Sequence, residues 1–117
     1  MKPSKETIQK FADRLDDLVK LPVFLEMFDG TVFRFVLEIL AEKYWENIPT
    51  QYQDEVNILI EAFAENDYSI VSGATVTAIN DLIDLPFADE EEEAQFIALN
   101  TQMILKFVLY LKDRPDK

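Results

Sequence analysis

Asp29-Gly30-Thr31-Val32-Phe33-Arg34-Phe35-Val36-Leu37-Glu38-Ile39-Leu40 is the stretch on which the fold class turns. Asp-Gly between apolar runs is a strong short-range hairpin signal, and Thr31 to Phe35 is rich in strand formers. The competing reading ends one helix at Gly30 and opens the next with Thr31 as its N-cap. Pattern length decides between them. Phe33, Val36, Leu37, Leu40, Tyr44 and Ile48 recur every three or four residues, too far for a strand and at the right period for a helix. The junction is therefore read as a helix boundary, and the helix it opens as spanning 31–47.

The flanking segments carry the same period. Upstream, Ser4 is a plausible N-cap for a helix over 4–20, with Ile8, Phe11, Leu15, Leu18 and Val19 on its apolar side. Leu21-Pro22 stops it, because proline disfavours helical geometry in the residue before it. A short apolar turn at 22–28 follows. Downstream, Pro49-Thr50 opens a helix over 50–65, with Tyr52, Val56, Leu59, Ile60 and Phe63 facing inward. Asn66-Asp67 closes it.

The next segment, 68–85, reads as a helix less cleanly. Ile70, Val71, Thr75 and Val76 are β-branched, and Ser72-Gly73-Ala74 marks either a close helix approach or a break. After Leu85-Pro86, Asp89 caps a last helix over 89–113, whose main face is read as Phe96, Leu99, Met103, Phe107 and Tyr110. Asp17 to Pro22 and Asp81 to Pro86 match at four of six positions. The similarity fades on both sides, so two helices stopped independently by Leu-Pro account for it better than a duplicated unit. The expected architecture is all-α: a compact antiparallel bundle of four to five helices, one domain over residues 1–117.

Composition narrows the chemistry. The 117 residues contain no cysteine and no histidine. Disulfides, thiolate nucleophiles, zinc–sulfur sites, serine–histidine triads and Glu-x-x-His iron sites are thereby excluded. Met1 to Glu6 leads into an amphipathic segment instead of an apolar signal core. The apolar run Ala94–Leu105 is short for a bilayer span and contains Gln95, Asn100 and Gln102. Both features point to a cytoplasmic protein with no membrane segment.

The net charge of −12 is unevenly placed. Between Tyr44 and Leu105 there are thirteen acidic residues and no Lys or Arg. Such a field repels nucleic acid phosphates and attracts a basic partner. On the helix over 50–65 the acidic face is Asp54, Glu55, Glu61 and Glu65. A solvated face that serves only solubility is the plainer alternative, and a phosphate mimic the sharper one. The run Asp89–Glu93 reads as an acidic first turn, since five consecutive acids cannot all face one ion.

Carboxylates alone could still hold magnesium for nucleotide chemistry. The rows Glu38-Glu42-Glu46 and Glu61-Glu65 have one-turn spacing, but so do ordinary solvent-facing rows. Glu26 and Asp29 form the Glu-x-x-Asp pair, at a break, and no glycine-rich phosphate cradle accompanies them. No metal or cofactor is expected.

Two helices carry more apolar residues than one core face uses. Phe35 and Ile39 fall opposite the Phe33–Leu40 stripe; Leu105 and Leu109, with Ala98, fall opposite the Phe96–Phe107 face. A helix apolar all round is either central in its domain or covered by another chain. Ile58, among acids, is a lesser interface candidate. The functional expectation is a non-enzymatic protein-interaction or regulatory module that offers an acidic face to a basic protein partner and can form a homodimer. A magnesium-dependent carboxylate enzyme acting on nucleotides and a structural subunit of a larger assembly are the alternatives.

Overall fold

Helix α1 (Lys5–Leu18) starts where Ser4 Oγ accepts the Thr7 N–H at 3.1 Å, satisfying a donor that the first turn leaves free. Ile8, Phe11 and Leu15 follow at helical spacing and are buried. The computed structural model describes residues 2–18, 30–85 and 91–113. Helix α2 (Gly30–Ile39) is already helical at Gly30, so Thr31 lies inside it instead of capping it. Asp29 and the expected turn at 22–28 lie outside the described residues. The helix continues as a π turn, Leu40–Tyr44, and a 3-10 turn, Trp45–Asn47. These three pieces together fill the expected 31–47 helix.

Helix α3 (Thr50–Glu65) ends on Asn66, which takes the left-handed conformation with φ 54°. Its N–H reaches the Phe63 carbonyl at 3.2 Å and the Asp67 N–H reaches Ala62 at 2.9 Å, satisfying carbonyls the last turn leaves free. The expected helix over 68–85 needs correction. It divides into a 3-10 turn, Tyr68–Ile70, and helix α4 (Gly73–Ile83). The reason is local competition for backbone groups. Asp67 accepts the Ser69 N–H at 3.0 Å, and Ser72 accepts the Thr75 N–H at 3.1 Å, so each starts a helix of its own. A Cβ on Gly73 would meet nothing within 4 Å, so Ser72-Gly73-Ala74 is a break and not a close approach.

Helix α5 (Glu92–Lys112) has 21 residues and a length of about 31 Å. Glu92 and Glu93 occupy its first turn and Lys112 its last, the signs the helix dipole favours. The expected Asp89 cap lies outside the described residues.

Packing joins these helices around one core. α1 packs on α2 and α3, and α5 packs on α2, α3 and α4. The Arg34–Asp13 pair at 3.6 Å and the Lys10–Glu65 pair at 2.8 Å tie α1 to both neighbours. At the centre, the Phe11 and Phe63 rings lie 4.5 Å apart at 47°, and the Arg14 guanidinium sits 5.1 Å above Phe63. The radius of gyration is 13.4 Å, close to the ~13 Å of a compact chain this long. All regular structure among the described residues is helical: an all-α bundle of five helices.

Candidate interaction surface

Both faces of α5 have the apolar spacing of a core face, and the structure buries the one the sequence reading set opposite the main face. Ala94, Ile97, Ala98, Thr101, Ile104, Leu105, Val108 and Leu109 are buried. Leu105 and Leu109, candidates for an interface, are core residues at 1% and 8% exposure. The physical reason is size. Ala94, Ala98 and Thr101 are small enough for neighbouring helices to approach closely, and the Thr101 hydroxyl turns back onto the Ile97 carbonyl at 2.7 Å. The bulkier face is turned outward.

That outward face forms a seam. Phe96, Leu99, Met103 and Tyr110 are 47%, 65%, 46% and 63% exposed. Glu92 precedes them on the same line and Lys106 interrupts it, both exposed. No charged residue occurs from Ala94 to Leu105. Together the four side chains offer on the order of 400 Å² of apolar surface, as much as the largest patch on a typical monomer. The positions 92, 96, 99, 103, 106 and 110 alternate steps of four and three. That signal was present in the sequence, where the equally regular buried face competed with it.

The other candidates do not assemble into one site. Phe35 on α2 is 52% exposed, whereas Ile39, one turn on, is half-buried and packs against the core. Ile58 is half-buried. On α3, Asp54 and Glu61 are exposed, Glu55 is half-buried, and Glu65 is held by Lys10. Basic residues ahead of Tyr44 thus reach across to the acidic stretch that follows it, as Lys43 also does to Glu93 at 3.1 Å.

The junction of α2 with α5 is the most elaborate polar contact. The π turn carries Tyr44 to the start of α5, where its hydroxyl donates to Glu93 at 2.8 Å and Glu91 at 3.2 Å. The Glu93 hydrogen bond, then burial and the Glu91 hydrogen bond, push the phenol well above its ordinary range. In return, the Tyr44 hydroxyl and then Lys43 hold the Glu93 carboxyl below its ordinary value. A phenol this reluctant to ionise is a clasp, not a base.

Two open clefts flank the chain's start. One, of 400 Å³, is lined by Pro3, Ile8, Glu38 and Glu42; the other, of 330 Å³, by Trp45, Lys43, Glu46 and Gln53. Among the described residues no three acidic side chains gather where they could share a metal ion. α5 is the one described helix long and apolar enough to cross a membrane, longer than the run Ala94–Leu105 suggested, because only Lys106 interrupts it before Lys112. Half of that stretch is buried inside the bundle. No protein-family model, curated protein or solved structure matches this chain.

Proposed function

We propose that this chain is a non-enzymatic protein-interaction module of the cytoplasm whose docking surface is the outward face of α5. The observation that carries this reading is the row Phe96, Leu99, Met103 and Tyr110, four large apolar side chains left in water along one helix. Burying such a side chain contributes about 1.5–3 kcal/mol, so an uncovered row forgoes considerable stabilisation. The row also suits a partner helix, which reads anchors spaced three and four residues apart.

Charge then selects the partner. With a net charge of −12, the surface disfavours nucleic acid and anionic lipid, so the occupant is a protein. The absence of cysteine accords with a reducing compartment. A permanent place in a larger assembly would use the same face.

The test is a photo-crosslinking amino acid placed at Leu99 and, as a control, at Glu61. In the host cell, position 99 should capture a protein and position 61 should not. If 99 captures nothing, the reading fails.

A further inference from the structure

We infer that a second copy of this chain occupies the α5 face, its helix running in the opposite direction about a twofold axis between Leu99 and Met103. The inference rests on the interaction reading above and names the partner.

Three features of the seam lead there. The first is period. Glu92, Leu99 and Lys106 fall seven residues apart, as do Phe96, Met103 and Tyr110, the spacing that lets two helices stay in contact by coiling left-handedly.

The second is the placement of charge. The only ionised residues on the seam are Glu92 at its start and Lys106 near its end. A parallel copy would set Glu92 against Glu92 and Lys106 against Lys106, which is destabilising. A reversed copy pairs residues whose numbers sum to 202. Leu99 then meets Met103 of the second copy, Lys106 meets the Phe96 ring, and Glu92 meets the Tyr110 hydroxyl. Each pairing is chemically compatible: apolar with apolar, cation over an aromatic face, phenol donor to carboxylate. The dipoles of the two helices also oppose.

The third is area. Two seams bring together on the order of 800 Å² of apolar surface, and their flanks raise this toward the lower limit of ~1,200 Å² for stable interfaces. A reversible dimer in the micromolar range follows. The stretch Ala94–Leu105 carries no charge to desolvate. The net charge repels the copies at long range, but that repulsion is screened beyond about 8 Å at physiological salt. The dimer therefore tightens as salt is added, whereas a complex with a basic partner would loosen.

Sedimentation of the full chain across the micromolar range tests this. We expect a dimer whose dissociation constant falls severalfold with added sodium chloride, and a monomer of unchanged circular dichroism for Leu99→Glu. Orientation is tested independently, since the chain has no cysteine of its own. When Leu99→Cys and Met103→Cys proteins are mixed in equal amounts and oxidised, the mixed disulfide should clearly exceed the half of all pairs that random mixing gives. Like pairs in excess would overturn the antiparallel arrangement. A wild-type monomer at all concentrations would overturn the dimer, whether it stays free or floats with phosphatidylcholine vesicles. A crosslink from position 99 to a different protein, with the wild type monomeric, would sink the second copy but leave the interaction module standing.

Discussion

The Tyr44 hydroxyl donates to Glu93 across 2.8 Å, joining the π turn that extends α2 to the first turn of α5 over 49 residues of sequence. The pair makes folding sensitive to both acid and alkali. Glu93 titrates below its ordinary 4.5 in the folded chain, so its stabilisation is complete above that pH and drains away as pH falls through the lower folded value. Tyr44 titrates above its ordinary 10.0, so its share is complete below pH 10.0 and is lost as pH rises toward the folded value. Tyr44→Phe should lower the melting temperature by a few degrees at neutral pH. It should also remove the last phenolate step from an ultraviolet titration of the folded protein. A variant that melts and titrates like the parent would show that the contact contributes nothing.

Adjacent residues of α5 should respond oppositely to truncation. Ile104 is 1% exposed and Met103 46%. Ile104→Ala should cost about 2–5 kcal/mol in urea unfolding, the usual penalty for a core cavity. Met103→Ala, measured where the chain is monomeric, should stay within about 0.5 kcal/mol of the parent. Equal effects would mean that the helix is turned the other way.

The left-handed residue that closes α3 gives a third test. Asn66 at φ 54° occupies a conformation that a side chain with Cβ tolerates poorly. Asn66→Gly should be neutral or slightly stabilising, while Asn66→Val should destabilise by about 1–2 kcal/mol. Chemical denaturation of both variants decides it, and equal stabilities would count against the left-handed closure.

A fourth concerns the caps that divide 68–85. Ser72 Oγ holds the Thr75 N–H at the start of α4. Ser72→Ala should cost about 1 kcal/mol. Ser72→Asp, which keeps an acceptor and adds favourable charge, should restore it. Failure of the aspartate to rescue would point away from capping.

Much of this fold can be read from the chain because several signals agree. At α1 the Ser4 cap, the Ile8–Phe11–Leu15 stripe and the opposing charges all describe the same helix. At 31–47 the stripe outlasts the Asp-Gly signal, and Val36, Leu37, Leu40, Tyr44 and Ile48 are all buried. Reading fails where two answers satisfy one rule. α5 has two apolar faces of helical period, and periodicity cannot rank them. What ranks them is the volume of Ala94, Ala98 and Thr101, a packing property that depends on neighbours far away in sequence. For the same reason Leu105 and Leu109 look like surplus in the sequence and are core in the fold. The acidic residues were legible as composition, but the Lys10–Glu65 and Lys43–Glu93 pairs depend on tertiary placement that no local pattern encodes.

The π turn at Leu40–Tyr44 has a consequence for how this chain can change over time. An α-helix turns about 100° per residue, and a π turn holds one residue more per hydrogen-bonded ring. Losing one residue there would tighten it to an ordinary α turn of about the same sweep, so Trp45 and Ile48, both buried, would keep their side of the helix. Descendants of this sequence should therefore tolerate the loss of one residue at exposed Glu42, while a second loss between Leu40 and Ile48 would swing Trp45 and Ile48 off the core together.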